Sequence, residues 1–172
     1  MSDFIEKTLE DIVFENKETI CERGFPFLLD HTFRQFYLPS KRKIDLFSYS
    51  INEQSFSCRI FELKRECLMP KHILQVLEYA LEIFYNLKPY YDVHIEKFII
   101  GNDIDKPTAA LIEDKLDFEA YTYRYCYNGL FFKKYLSTLD IINMNPPLIN
   151  RLFQPTEETQ IFKQRIEALT KQ

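Results

Sequence analysis

Two apolar runs separated by four polar residues dominate the pattern of the chain. Residues 44–51 and 56–63 are rich in β-branched and aromatic side chains, and Asn52, Glu53, Gln54 and Ser55 lie between them. That pattern predicts two β-strands joined by a polar turn. Upstream, Ile5, Leu9, Ile12, Val13 and Ile20 recur at helical spacing, with Ser2 or Asp3 as cap and Gly24 and Pro26 as the stop. A strand is expected over 32–38. Downstream, a second helix is expected from Pro70 to about 87, packed through Ile73, Leu77, Ala80, Leu81 and Phe84. Then come a strand over 93–101, a short helix over 107–115 and a strand over 116–126. Residues 130–136 are expected as a last strand or helix. Asn145-Pro146-Pro147 breaks the chain before a C-terminal helix over 156–171. Strand, helix and strand in succession predict an α/β sheet that is partly parallel through the crossover.

Charges interrupt the two central runs. Asp45 lies in the first, Glu62 at the end of the second and Lys64 just beyond it. Side chains alternate along a strand, so Glu62 and Lys64 share a face while Phe61 and Leu63 take the other. A hairpin centred between Glu53 and Gln54 sets Asp45 directly opposite Glu62, Cβ atoms roughly 5 Å apart. Two carboxylates that close repel unless a proton or cation lies between them. A divalent cation answers this, with Lys64 on the same face. The plainer alternative is a hairpin with solvated charges. Ile44, Leu46 and Phe47 beside the aspartate, and Ile60, Phe61 and Leu63 beside the glutamate, argue against it: a strand apolar on both sides is central in a covered sheet.

Ile44-Asp45-Leu46 followed after a gap by Phe61-Glu62-Leu63-Lys64 resembles the D…(D/E)-x-K signature of the PD-(D/E)XK nuclease superfamily. The proline of that name is replaced by Ile44. In the second helix, Gln75-Val-Leu-Glu-Tyr79 resembles the additional Gln-x-x-x-Tyr motif of the RecB-type and NucS-type branches. The resemblance covers roughly 2–126 and implies a restriction-endonuclease-like fold, a central mixed β-sheet flanked by helices. The core is expected over 1–136, with a C-terminal helical extension over 137–172 packed on the same domain. It implies metal-dependent hydrolysis of phosphodiester bonds, with DNA the expected substrate. Asp45, Glu62 and the Leu63 carbonyl would hold Mg²⁺ or Mn²⁺. Lys64 would orient a water or stabilise developing charge, and Gln75 and Tyr79 would fix Lys64 or a phosphate. The family's first helix often adds an acid; Glu6 is the first choice here and Glu10 the second, both reading equally as solvated helix acids.

Composition sharpens this in a few places. With 46% hydrophobic residues, the 172-residue chain can build a sizeable core. A net charge of −4 gives no global polyanion-binding signature, so any nucleic-acid contact must be local. Lys41, Arg42 and Lys43 are a basic run before Asp45, a solvated turn or a phosphate-positioning patch; Arg34 and Gln35 are expected near the site. Cys21, Cys58, Cys67 and Cys126 lack paired spacing and read as reduced thiols of a cytoplasmic protein. His31, His72 and His94 are scattered, which disfavours a His-ligated metal. The N-terminus is acidic and amphipathic, unlike a signal peptide, and no run is long enough to span a bilayer. Tyr121, Tyr123, Tyr125 and Tyr127 alternate, a structural stripe first and a base-stacking surface second. The rival to hydrolysis is a catalytically silent nuclease-like fold that binds nucleic acid or protein; an unrelated α/β interaction domain is a third reading. A homodimer is compatible with all of them.

Overall fold

A computed structural model describes residues 2–113 and 117–136, with only the helical backbone described over 2–8. The hairpin forms as its pattern predicts: β2 is Lys43–Ile51 and β3 is Ser55–Leu63. Asn52 closes it, its Oδ1 accepting the N–H groups of Gln54 (3.0 Å) and Ser55 (2.8 Å). This side chain supplies the turn with acceptors that the backbone alone would lack. Before the hairpin come α1 (Ser2–Glu15), a short 3-10 turn (Ile20–Arg23) and β1 (His31–Tyr37). After it come β4 (Cys67–Leu68), α2 (Pro70–Leu87), β5 (Asp92–Gly101), β6 (Asp103–Ile104), α3 (Lys106–Glu113), β7 (Glu119–Cys126) and β8 (Gly129–Lys134).

Six strands form one mixed sheet in the order β1-β2-β3-β5-β7-β8, and β4 pairs with β6 in a small second sheet. β2 runs antiparallel to both β1 and β3; β3, β5 and β7 run parallel, and β8 returns antiparallel to β7. Helix α2 makes the first parallel crossover and α3 the second, as parallel neighbours require. Toward their C-terminal ends, at 60–63 and 98–101, β3 and β5 are buried on both faces. Phe56, Cys58 and Ile60 face the core layer of α2, while Phe61 and Leu63 face the layer of α1, which contributes Leu9 and Val13. Full burial of such side chains stabilises the fold by about 1.5–3 kcal/mol each.

The packed stripe of α2 differs from the expected one. Ile73, Val76, Tyr79, Ala80 and Ile83 are buried, whereas Leu81 is 53% exposed. The helix is apolar on two adjacent stripes, and the one carrying Tyr79 meets the sheet. The last element, left open between strand and helix, is the strand β8. Strand starts differ slightly from expectation: β1, β2, β3 and β5 each begin one residue early, and β7 begins at Glu119. The four cysteines are free thiols, and burial pushes that of Cys58 up to about 12. This unit ends at Tyr135. The extension expected over 137–172, with its helix from Thr156, lies outside the described residues.

Candidate functional site

The centre of the site is a place where the sheet opens. Between β2 and β3 the register sets Phe47 against Ile60 and Leu46 against Phe61, and the paired ladder stops there. The next row is Asp45 and Glu62, the juxtaposition expected from the hairpin. Here a side chain replaces the strand-to-strand bond: Asp45 Oδ2 accepts the Leu63 N–H at 2.9 Å. The other flank of Asp45 opens too. β1 pairs Arg34 with Leu46 and Phe36 with Ile44, skipping the row of Gln35 and Asp45. Gln35 has φ 53°, in the left-handed region that a non-glycine residue enters only at some cost.

Lys64 draws the two carboxylates together. Its Nζ is 2.6 Å from Glu62 Oε1 and 3.6 Å from Asp45 Oδ2. Its backbone N–H is held by the Ile100 carbonyl at 2.7 Å, which fixes where the side chain leaves β3. Glu62 is wholly buried. Among the described residues its Oε2 has no hydrogen-bond partner, and its Oε1 faces the ammonium as an ion pair. Burial above all, then the charge of Asp45, pushes the Glu62 carboxyl up to about 8, against the pull of Lys64. Asp45 is raised as well, by burial, and is opposed by Lys64 and by the Leu63 N–H. Among the described residues, Lys64 is the cation that pairs with both acids, in a poorly solvated place that disfavours two charged carboxylates.

Helix α1 brings a third acid. Glu10 is 5% exposed, and its Oε2 accepts Gln35 Nε2 at 3.0 Å. Burial raises its pKa, Asp45 adds to the rise, and Lys43 and Lys64 oppose it. Glu10 therefore belongs to the same electrostatic cluster, and the side chain of Glu6 lies outside the described residues. Of the basic run, Lys43 contributes its charge at Asp45 and Glu10. Arg42 is engaged by Glu78 at 2.9 Å in an exposed pair, and Lys41 turns the chain at φ 68°. Arg34 pairs with Asp11 of α1.

From the opposite layer, α2 presents Gln75 and Tyr79. Gln75 Nε2 donates to the Tyr79 hydroxyl at 2.6 Å, and that hydroxyl donates to the Lys43 carbonyl at 2.8 Å. The pair thus grips the backbone of β2 two residues before Asp45. Burial raises the Tyr79 pKa, and both Glu62 and Asp45 add to the rise. His72, whose part in the site the sequence left unassigned, is buried at the start of the same helix. Its Nδ1 accepts the Met69 N–H at 3.0 Å, closing the helix N-terminus from within. Burial, then Lys64 and Lys71, lowers its pKa to about 4. The imidazole stays neutral, so it adds no charge beside Lys64.

No family model, curated protein or solved structure matches this chain. The chemistry must be read from the cluster itself. Among the described residues, no three His, Cys, Asp or Glu side chains are arranged as a metal cage. Nor is any described helix long and apolar enough to cross a membrane. Asp45 and Glu62 nevertheless offer hard carboxylate oxygens, one of them buried without a partner. A hard divalent cation held by two carboxylates, a carbonyl and waters fits this donor set, since Mg²⁺ keeps much of its water and uses few protein ligands. The cluster keeps an ammonium beside these oxygens and excludes bulk solvent from Glu62.

Proposed function

We propose that this chain is a PD-(D/E)XK-type nuclease with a restriction-endonuclease-like core, hydrolysing phosphodiester bonds, DNA first among its substrates, with Mg²⁺ or Mn²⁺. The observation that carries the reading is the convergence of Asp45, Glu62 and Lys64 at a break in both ladders, with a buried Glu62 oxygen that has no hydrogen-bond partner among the described residues. A purely structural sheet gains nothing by burying two carboxylates for one ammonium. Asp45, Glu62 and the Leu63 carbonyl would hold the ion. When bound, it supplies Lewis acidity toward a phosphoryl oxygen and a water. The Leu63 N–H holds the Asp45 carboxylate in one orientation. Lys64 donates to the attacking water or to the phosphoryl oxygen on which charge develops. Tyr79, through the Lys43 carbonyl, sets the position of β2 and so of Asp45. Glu10, steadied by Gln35, adds negative charge that favours a cation over an empty site.

The test is cleavage of single- and double-stranded DNA and RNA with Mg²⁺, with Mn²⁺ and with EDTA. Metal-dependent cleavage is expected. Lys64→Ala should lower kcat by about 10²–10³-fold, the range for removing one transition-state donor. Asp45→Asn should weaken the metal and be partly rescued by excess of it. Absence of cleavage, together with absence of metal binding by calorimetry, would leave a catalytically silent binding module.

A further inference from the structure

The tyrosine stripe of β7 divides in two. Tyr121 and Tyr123 are buried in the layer beneath α1, whereas Tyr125 is 54% exposed and Tyr127, in the turn, is fully exposed. The division follows from topology. β5 ends at Gly101, opposite Thr122, so Tyr123–Cys126 pair with β8 alone. The β7–β8 hairpin thus runs about 13 Å past the end of β5. It leaves the sheet level with the site: Ile100, next to Gly101, holds the Lys64 N–H. It is also tied to that strand exit, because the Tyr123 hydroxyl donates to the Arg65 carbonyl at 3.1 Å. Tyr125 packs edge-on against Tyr123, ring centroids 5.9 Å apart.

The projecting hairpin differs in charge from the rest of the chain. Residues 120–136 hold three basic side chains and no acid, in a chain of net charge −4. Glu119 takes Lys134 at 2.9 Å, whereas Arg124 and Lys133 are in no ion pair among the described residues. Arg124 stands across from Phe131, which is 40% exposed and carries the Arg23 guanidinium over its ring. Gly129, at φ 116°, leaves the space that this guanidinium occupies. By strand alternation, Arg124 and Lys133 lie on the sheet face to which Glu62 belongs, through the rows of Ile99 and Ala120, and Tyr125 lies on the other with Tyr121 and Tyr123, so a strand that reaches both passes over the exposed turn at Tyr127.

We propose that this hairpin is an arm for single-stranded nucleic acid, with Tyr125 and Tyr127 stacking on bases and Arg124, Lys133 and Arg23 holding phosphates. The inference rests on the hydrolytic reading of the neighbouring site and names its substrate as an unpaired strand. Exposed rings need bases with free faces, which a duplex conceals within its own stack. Local basic charge offsets the repulsion that an acidic protein exerts on a polyanion.

The test is fluorescence anisotropy in EDTA, where nothing is cut, with labelled oligothymidylate and a labelled duplex of equal length. The wild-type chain should bind the single strand more tightly than the duplex. Tyr125→Ala combined with Tyr127→Ala should weaken that binding at least about tenfold. Tyr127→Ala alone, at a fully exposed position, should show part of the loss with an unchanged melting curve. Arg124→Glu should flatten the salt dependence by about one ion. Tyr85→Ala, an exposed ring on α2, should change nothing. Equal affinity for duplex, no binding of the single strand, or affinity indifferent to both tyrosines overturns the arm. Arm-dependent binding without metal-dependent cleavage upholds it and removes the hydrolytic reading. Lys64-dependent cleavage with affinity indifferent to the hairpin does the reverse.

Discussion

The two ends of the β2–β3 hairpin obey one register and reach opposite outcomes. At the turn, Asn52 meets two N–H groups and its own N–H reaches the Ser55 carbonyl at 3.0 Å, so the local polar groups are matched. At the far end the ladder stops after Leu46 and Phe61, and three ionisable groups fill the opening. Asp45 satisfies the freed Leu63 N–H, yet Glu62 remains buried with an oxygen unmatched. The turn end serves stability. The open end costs stability, and that cost is the feature on which the proposed cation site rests.

The sharpest break of this contrast is Glu62→Gln. A neutral amide needs no counterion, so the variant should melt higher at pH 8 and above, while cleavage should fall at least about a hundredfold. Parallel thermal melts and cleavage rates check both halves; a variant that is less stable at alkaline pH would refute the strained-end account.

A milder effect is expected from pH alone. Glu62 holds its proton more tightly folded than unfolded, so its contribution to stability is complete below about pH 4.5 and is lost as pH rises through about 8. His72 works in the other direction: with a pKa lowered from 6.5 to about 4, it contributes stability above pH 6.5 that is lost as pH falls toward 4. The melting temperature of the metal-free protein should decline on both sides of an intermediate maximum. Mg²⁺ should restore the alkaline side only, and Glu62→Gln should flatten that side while leaving the acid side. Differential scanning calorimetry from pH 4 to 9 measures this.

The smallest effect belongs to the turn. Asn52→Ala should cost about 1 kcal/mol, read by urea unfolding, and leave cleavage unchanged. A cleavage defect there would mean that the two ends are coupled.

Much of this arrangement was legible because β-strands reveal their own register. The polar turn centres the hairpin, alternation assigns the faces, and together they bring Asp45, Glu62 and Lys64 to one place. Pro70 marked the start of α2. The burial of α2 was less legible, since Ile73, Val76, Ala80 and Ile83 compete with Leu74, Leu77, Leu81 and Phe84 for the sheet and periodicity alone does not choose between them. Glu10 ranked only second to Glu6 for a related reason: beside Leu9 in an amphipathic helix, an acid facing a break in the sheet looks like an acid facing water. No pattern announces that Gln35 turns left-handed, because glutamine has no preference for that region. β4 and β6, at two residues each, are too short to show a period.

Gly101 carries one more consequence. A Cβ there would come within 2.7 Å of the Leu68 side chain and 2.8 Å of the Glu66 carbonyl, the stretch that follows Lys64 out of β3. Even a methyl group would push that stretch aside. In a saturation mutagenesis screen for activity, this position should behave like a member of the charged cluster, although it has no side chain and no chemistry to offer.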